Sequence, residues 1–368
     1  MITENEKKLF QQLSRLGVDF SDESLLENAS PEVLGHLFFN RMQGIAYHQL
    51  KVGNLLNKVS REFRNSLKVA YEHNVELNED YKLCVNYVAN ILKNSNCQYA
   101  MLKGAFLCSY YPIGCRTSND IDLLVLPKDI TEIGNLLKEA GFSQGKIENG
   151  VFVPATRNEI IQSKMLRGET VPYVKEVNLP SMEYLEIDIN YSLDYKNGTE
   201  DLVGDLLAKA EEVSLGDFSI TTLSQSDFFI HLCVHLYKEA TTYPWVQMHR
   251  DMTLYKYEDI YYLLSRMSYG DVAKVFTRAE SLGLEKICAF AILQTNELIG
   301  LDPYLCIMAT MALENDLDIL HRVIAPETKK TYIYENKNIF ERLFCNQRDM
   351  LLREVTDDET SAYETTST

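Results

Sequence analysis

The chain has 368 residues, of which 46% are hydrophobic and 24% are charged, a balance typical of globular proteins with a buried core. Its 36 basic and 53 acidic residues give a formal net charge of −17. Because such a surface repels a polyanion, the composition argues against a long DNA or RNA partner, although not against a nucleotide held through a metal ion.

Nothing in the sequence directs the chain to a membrane or to secretion. The first residues lack a basic region followed by an apolar run, and no segment approaches the roughly 18 apolar residues of a membrane span. The eight cysteines are scattered, and no two are separated by two residues, which argues against a zinc ribbon or a dithiol motif. We expect reduced thiols and a cytoplasmic location.

Apolar periodicity predicts an N-terminal helical region over residues 1–95. Ser30-Pro31 marks a helix start, because serine caps a helix and proline is tolerated at its first position. The pattern predicts one helical stretch as far as Leu50 and a second over 55–92, with a break near Asn78.

Residues 96–222 carry strand patterns. Tyr99 to Leu102 is a short apolar run that ends in a turn, and Asp120 to Leu126 is an apolar strand with two carboxylates at its start. A third strand, Tyr184 to Leu193, alternates in polarity and places Glu186, Asp188 and Asn190 on its polar face. Between the first two strands and the third we expect a helix over 130–140, capped by Asp129 and ended by Gly141.

Residues 223–356 return to a helical pattern. Ser224 and Asp227 resemble a capping box, and further helices are predicted over 257–267, 272–282 and 286–299. The acidic tail, 357–368, is expected to be disordered. These segments predict an α+β fold with a small mixed β-sheet core, an N-terminal helical region and a C-terminal helical domain.

Asp120-x-Asp122 is the strongest chemical signal. Residues two apart on a strand share a face and lie about 6.6 Å apart along the chain. Two carboxylates this close repel each other unless a cation lies between them, and oxygen ligands of this kind suit Mg²⁺. The alternative is two solvated acids at the start of a strand.

Three nearby features favour the metal interpretation. Gly104 follows an apolar strand, where a missing side chain lets backbone N–H groups approach an anion. Lys103 and Arg116 are close enough in sequence to offset phosphate charge. Asp188 lies on the polar face of a second strand, as a third metal-binding acid requires.

Taken together, these motifs resemble the uncharacterised bacterial nucleotidyltransferases of the polymerase-β-like superfamily over about residues 30 to 330. That family carries a Leu-Lys-Gly turn, an arginine and an Asp-x-Asp strand in this order. The matching segments are Met101-Leu102-Lys103-Gly104-Ala105, Tyr110-Tyr111-Pro112, Arg116, Asp120-Ile121-Asp122-Leu123-Leu124-Val125, Glu186-Ile187-Asp188-Ile189-Asn190-Tyr191 and, in the helical C-terminal half, Leu232-Cys233-Val234-His235-Leu236 and Asp259-Ile260-x-x-Leu263-Leu264.

The resemblance implies Mg²⁺- or Mn²⁺-dependent transfer of a nucleoside monophosphate from a nucleoside triphosphate, with ATP the expected nucleotide, and release of pyrophosphate. Asp120 and Asp122 would hold both metal ions and Asp188 would complete the catalytic site, with Glu186 as the rival third ligand. Lys103, Gly104, Ala105 and Arg116 are the residues that it assigns to the triphosphate.

The resemblance leaves the acceptor open. It could be a hydroxyl or phosphate of a small molecule, or a peptide or protein, as in the tailoring of a peptide natural product. Ala105 stands where relatives carry Ser or Gly, and Asn190 where many carry His. The alternatives are therefore a catalytically inactive nucleotide-binding or toxin–antitoxin-type module and a glycosyl-type transferase that uses the same metal site.

Two histidines four residues apart, His231 and His235, share a predicted helix face. That spacing occurs in zinc sites, but no glutamate directly follows His231 and the neighbouring residues are apolar. We expect a packed or substrate-facing pair.

Overall fold

The computed structural model describes residues 2–166, 168–193, 200–314 and 316–356. Its helices are α1 (Glu4–Leu13), α2 (Pro31–Phe39), α3 (Gln43–Val52), α4 (Arg61–Leu92), α5 (Gly104–Tyr110), α6 (Ile130–Glu139), α7 (Arg157–Leu166), α8 (Glu200–Ala208), α9 (Gln225–Ala240), α10 (Tyr243–Gln247), α11 (Leu254–Leu264), α12 (Tyr269–Ser281), α13 (Glu285–Leu298), α14 (Pro303–Leu313) and α15 (Ile339–Leu343). Its strands are β1 (Tyr99–Met101), β2 (Asp120–Val125), β3 (Ser143–Glu148), β4 (Val151–Pro154), β5 (Tyr173–Leu179), β6 (Met182–Asn190), β7 (Glu211–Ser214), β8 (Ser219–Thr222), β9 (Arg322–Ala325), β10 (Lys330–Tyr334) and β11 (Leu352–Glu354).

The chain divides into two compact units. The first contains residues 1–42, 49–63 and 229–368, and the second contains 43–48 and 64–228. Residues of the predicted N-terminal region contribute to both units, and the domain boundaries at 95, 222 and 356 stay predictions. The tail, 357–368, whose disorder the sequence predicts, lies outside the described residues.

A six-stranded sheet organises the second unit, with the strand order β1-β2-β6-β5-β3-β4. The pair β2 and β6 is parallel, whereas the other neighbours in this sheet pair antiparallel. The predicted α+β class and mixed sheet are therefore confirmed.

The alternation of β6 explains how this sheet packs. Leu185, Ile187 and Ile189 are fully buried and belong to the hydrophobic core that also contains the apolar face of β2. Because side chains on a strand alternate between two faces, Glu186, Asp188 and Asn190 fall on the opposite face, as the sequence predicts.

Helix α4 is unbroken over 32 residues, so the predicted break near Asn78 is wrong. Asn78 is 1% exposed, and its side chain bonds to the loop that precedes β2: its Nδ2 donates to the Arg116 carbonyl at 2.7 Å, and its Oδ1 accepts from the Gly114 N–H at 2.7 Å. Asn78, at which the sequence predicts a break in the helix, instead connects α4 to the loop that precedes β2.

Two other local predictions need correction. The helical stretch predicted as far as Leu50 is two helices, α2 and α3, separated at Arg41, whose φ is 59°. Asp129 makes no capping hydrogen bond to α6. The start of α2 is as predicted, since the Ser30 hydroxyl accepts from Val33 N–H, and Gly141 has the expected left-handed φ of 92°.

The first unit is mainly helical and contains α1, α2 and α10–α15. It also contains a three-stranded antiparallel sheet in the order β11-β10-β9, which the sequence analysis missed because its strands have three to five residues. None of the described helices has the length and apolar character that a membrane crossing requires. All eight cysteines are thiols rather than disulfides, as expected.

Candidate functional site

Four carboxylates lie on one face of the parallel strand pair. In the register of β2 and β6, Asp120 is opposite Glu186 and Asp122 is opposite Asp188. Neighbouring strands are about 4.8 Å apart, and side chains in register on them project from the same face. The sheet thus brings together the three aspartates that the sequence assigned to one site, and Glu186 as well.

The proximity of these acids perturbs their titration. Burial, followed by the charges of Asp122 and Asp120, raises the pKa of Asp188 to about 8. Burial and the charge of Asp120 raise the pKa of Glu186. Asp188 is opposite Asp122, the aspartate that also contacts Lys103, and a cation beside this pair would favour the ionised form of Asp188.

Lys103 supplies a positive charge within this group. Its Nζ donates to Asp122 Oδ1 at 2.8 Å. Burial alone lowers the pKa of Lys103, but the carboxylates of Asp122, Asp120 and Asp188 outweigh it and raise the pKa above its usual value. The ammonium therefore interacts with all three aspartates.

The backbone of Lys103 is unusual as well. Its φ is 43° and its ψ is −115°, a region that a residue with a side chain rarely adopts and that costs about 1–3 kcal/mol. The predicted tight turn is therefore present, but Lys103 rather than Gly104 has the positive φ. This strain turns the chain from β1 into α5 and sets the ammonium beside β2.

Gly104 is needed for a close contact. A Cβ at this position would lie 2.3 Å from Ser118 Oγ and 3.0 Å from the Tyr81 hydroxyl, so no larger residue fits. The Ala105 side chain is fully buried in the hydrophobic core, and its N–H donates to the Leu102 carbonyl. The hydroxyl nearest this turn is accordingly that of Ser118.

Sequence reasoning missed three polar groups that position the acids. Ser118 Oγ donates to Asp120 Oδ1 at 3.2 Å, and the hydroxyl of the buried Tyr81 donates to the Asp120 carbonyl at 2.6 Å. Asn190, which the sequence places on the polar face of its strand without assigning it a contact, donates from Nδ2 to Asp122 Oδ1 at 3.4 Å. Ser118 had a weak signal, since it precedes Asp120 by two residues, whereas Tyr81 had none.

Arg116 lies in the loop between α5 and β2. Its guanidinium donates to the Thr117 carbonyl, and the backbone carbonyl of Arg116 accepts a hydrogen bond from Asn78 Nδ2. Asn78 of α4 therefore fixes the loop that leads into the start of β2, where Asp120 and Asp122 lie.

The donor set suits a hard divalent cation. Carboxylate oxygens are the ligands that Mg²⁺ prefers. The Lys103 ammonium lies among these carboxylates and partly neutralises their charge, as a bound cation would. In the conformation described, no three His, Cys, Asp or Glu side chains of residues 2–166, 168–193, 200–314 and 316–356 are arranged to hold one ion.

A cavity of about 540 Å³ opens beside Asp188, within the range of about 300–1,000 Å³ found for small-molecule sites. Within the described part of the chain, the cavity is lined by residues of β3 and α7, by Ala155, by the segment 169–172 and by Asp188. Glu169 forms an antiparallel bridge with Asn190, which places this segment along the end of β6. The sequence analysis did not find this cavity, because residues 145–183 have no clear periodicity.

His231 and His235 lie in the first unit, on α9. Their ring centroids are 6.5 Å apart in a stacked arrangement, and His231 is 7% exposed. His235 Nε2 lies 3.5 Å from Glu239, which also pairs with Lys256. The two rings therefore stack on each other along α9, and His235 lies beside the ion pair of Glu239 and Lys256.

Comparisons with families and with solved structures found similar proteins, and a comparison with curated proteins found none. A family model described as an uncharacterised nucleotidyltransferase matches residues 31–300. Among solved structures, an antigenic nucleotidyltransferase-like protein from Paracoccidioides brasiliensis aligns with 57% of this chain and 92% of its own, with 12% identity and a TM-score of 0.34. No curated protein matches the chain.

Proposed function

The chain belongs to the uncharacterised nucleotidyltransferase family, as its motifs predict, and on this premise we propose that it transfers a nucleoside monophosphate from a nucleoside triphosphate to an acceptor and releases pyrophosphate. The observation that carries the proposal is the register of β2 and β6, which pairs Asp122 with Asp188. Carboxylates from two strands that share one face supply the ligands that this reaction needs.

Asp120, Asp122 and Asp188 are the residues that would hold Mg²⁺ or Mn²⁺. The choice of Asp188 over Glu186 as third ligand is supported by its response to the charges of both Asp122 and Asp120, whereas Asp120 is the charge that raises the pKa of Glu186. The bound ion would neutralise charge on the phosphates and make pyrophosphate a better leaving group.

Lys103 is suited to the triphosphate. When it leaves Asp122, its ammonium can donate to a phosphate oxygen at the same edge of the carboxylate group. Arg116 would add a second positive charge from the loop that α4 fixes. Gly104 and Ala105 shape the turn, and Ser118 offers the hydroxyl that Ala105 lacks.

Asp188 would also orient the acceptor. It borders the cavity, so its carboxylate can accept a hydrogen bond from an acceptor hydroxyl and receive the proton that this hydroxyl loses. ATP is the expected nucleotide. The acceptor is a hydroxyl or phosphate on a small molecule, peptide or protein, and tailoring of a peptide natural product is one such use.

Other features limit the partners. The net charge of −17 supports an acceptor other than a long nucleic acid. Eight thiols without a disulfide support a cytoplasmic location.

The ion pair between Lys103 and Asp122 favours a second candidate, a module that binds nucleotide without turnover. In that protein Lys103 would remain on Asp122 and keep the metal out. Ala105 is buried and has no hydroxyl to offer a phosphate, which also favours the inactive module.

Turnover with labelled nucleotides separates the candidates. The full chain is incubated with each of the four common nucleoside triphosphates, labelled at the α-phosphate, with Mg²⁺ or Mn²⁺ and a metabolite extract. Label joined to an acceptor together with released pyrophosphate supports the transferase. Nucleotide binding without pyrophosphate release supports the inactive module. A parallel incubation supplies sugar-labelled nucleotide-sugars in place of the triphosphates, and turnover confined to them supports a glycosyl-type transferase.

A further inference from the structure

A small cavity, the arginine cavity, lies within the first unit, and its wall includes Arg322 and Arg342. Its volume is about 10 Å³, enough for one water molecule or an ion of comparable size. The described residues that line it belong to α9, α13, β9, β10 and α15 or to the loops beside them, including the loop that precedes α11. The cavity therefore lies where the last strands and the last helix of the unit pack against its longer helices.

Two arginines at this cavity have an aspartate as partner. Arg348 Nε and Nη2 donate to the carboxylate of Asp251 at 2.8–3.2 Å, and both side chains are almost completely buried. Arg322 Nη2 lies 2.6 Å from Asp316 Oδ1. Each of these aspartates therefore balances an arginine of its own.

Arg342 has no acidic partner within ion-pair distance among the described residues, although it is 2% exposed. Its Nη2 donates to His321 Nδ1 at 3.4 Å, and its guanidinium lies 4.2 Å from the centre of the Tyr334 ring. Burial, Arg342 and Lys337 lower the pKa of His321 to about 4, and burial raises the pKa of Tyr334. Both contacts of Arg342 are therefore with neutral side chains.

The charge of Arg342 is thus buried without a counter-charge. Burial lowers its pKa, and the charge of Arg348 adds to this effect while Asp251 opposes it, but a guanidinium keeps its proton in proteins. Moving such a charge out of water destabilises a fold unless an opposite charge and hydrogen bonds replace the water. Since Nε of Arg342 has no accessible surface, Nη1 and Nη2 are the nitrogens that can contact a particle in the cavity.

We propose that the arginine cavity binds one monatomic anion, such as chloride, as the counter-charge of Arg342. A water molecule would fill the volume without balancing the charge, whereas a carboxylate or phosphate group is too large for it. Because Arg342 belongs to α15 and the opposite wall includes residues of α9 and α13, the anion would stabilise the packing of α15 on these helices. The site is independent of the nucleotidyl transfer proposed above.

Bromide locates the site directly, because it can replace chloride and scatters X-rays anomalously. In crystals of the full chain grown with sodium bromide, the expected result is an anomalous peak at hydrogen-bonding distance from Nη1 or Nη2 of Arg342. Peaks confined to exposed side chains would overturn the proposal.

Thermal unfolding tests whether the anion stabilises the fold. Chloride is exchanged for gluconate, which is too large for the cavity, at constant ionic strength, so that the screening of surface charges does not change. A ligand that binds only the folded state raises its stability with the logarithm of the ligand concentration above the Kd. We expect chloride to raise the melting temperature by about 2 °C or more, and bromide to act in the same way.

A variant and a matched control assign the effect to Arg342. Arg342→Met removes the charge and keeps a long side chain, so it should abolish the dependence on chloride. In gluconate it should be at least as stable as the wild-type protein, since an apolar side chain of similar volume in place of a buried ionic group is often neutral or stabilising. Arg61→Met makes the same change at an exposed position of the same unit, at the start of α4, and should keep the full response to chloride.

The proposal is overturned if the melting temperature of the wild-type protein does not depend on chloride, or if Arg342→Met responds to chloride as the wild-type protein does. Loss of the response in Arg61→Met as well would also overturn it. If Arg342→Met does not fold, the bromide map and the wild-type titration still decide, because a water molecule in the cavity gives neither an anomalous peak nor a dependence on chloride.

Discussion

Asp122 and Asp188 are direct neighbours in the register of two parallel strands that are 66 residues apart in sequence. Lys103 contacts the first of them at 2.8 Å, and the cavity borders the second. The two carboxylates share one face of the sheet.

Asp122→Asn is expected to abolish nucleotidyl transfer and leave the fold intact. Substitution of residues that merely support a metal ligand costs about 10- to 100-fold, so loss of the ligand itself should exceed about 100-fold. Pyrophosphate release measures the loss, and circular dichroism measures the fold. Asp129→Asn, in the short turn between β2 and α6, is the matched control and should keep full activity. An active Asp122→Asn enzyme would refute the assignment of this residue.

Asp188 predicts a pH dependence of stability in the metal-free protein. Burial, Asp122 and Asp120 raise its pKa to about 8, whereas an unperturbed aspartate titrates near about 3.9. Between these values the folded state holds a proton that the unfolded state has lost, so the free energy of unfolding decreases as the pH rises. This contribution is fully present below about pH 4 and is lost as the pH passes through about 8.

Asp188→Asn should therefore flatten the decrease in melting temperature between about pH 5 and pH 8 in a chelating buffer. Mg²⁺ should raise the melting temperature of the wild-type protein most at the alkaline end and should have little effect on the variant. Differential scanning fluorimetry measures both. Parallel curves for the wild-type protein, Asp188→Asn and the control Asp129→Asn would show that Asp188 does not titrate in this range.

The strands that carry the site could be predicted because their polarity is local. The alternation of β6 places Ile187 in the core and Asp188 on the opposite face in sequence and structure alike. The parallel pairing of β2 with β6 could not be predicted in this way, because register depends on contacts between distant segments. The family resemblance implied only that Asp188 shares a site with Asp120 and Asp122, and not how the two strands pair.

The remaining contacts of the site have no local signal. Tyr81 reaches Asp120 from α4 across 39 residues of sequence, and the apolar periodicity around Tyr81 reports only that it is buried. Glu169 and Thr170 lie in a segment without periodicity, so neither strand nor helix patterns identified the cavity. Polar residues that act through tertiary contacts are the part of a site that one sequence leaves undetermined.

Gly104→Ala is expected to destabilise the protein through a steric clash. The new Cβ would lie 2.3 Å from Ser118 Oγ and 2.5 Å from Ser118 Cβ, and overpacking of this kind costs about 1–3 kcal/mol. Because the closest atoms belong to one side chain, Ser118→Gly should recover most of the loss in the double variant. Urea unfolding measures all three proteins.

Gly204→Ala is the matched control for that clash. Its Cβ would approach one atom, Leu126 Cδ2, at 3.8 Å, an ordinary contact within α8. Alanine is favoured over glycine in a helix by about 1 kcal/mol, so this variant should be neutral or more stable. A double variant no more stable than Gly104→Ala would place the clash elsewhere, for example at Tyr81.

Asn78→Ala tests whether α4 holds the loop that leads into the carboxylate group. The substitution removes two hydrogen bonds of 2.7 Å, to the Arg116 carbonyl and from the Gly114 N–H, and leaves a buried N–H without its partner. The expected loss is about 2 kcal/mol in the free energy of unfolding, measured by urea denaturation. The control is Asn90→Ala, at an exposed position of the same helix, where the Asn90 side-chain amide donates to Asn86. This variant should change the free energy of unfolding by less than about 0.5 kcal/mol.

Amide exchange separates loop anchoring from general helix stability, because Gly114 and its neighbours should lose protection first. If both variants behave alike, or if α4 itself loses protection before the loop, Asn78 does not anchor the loop.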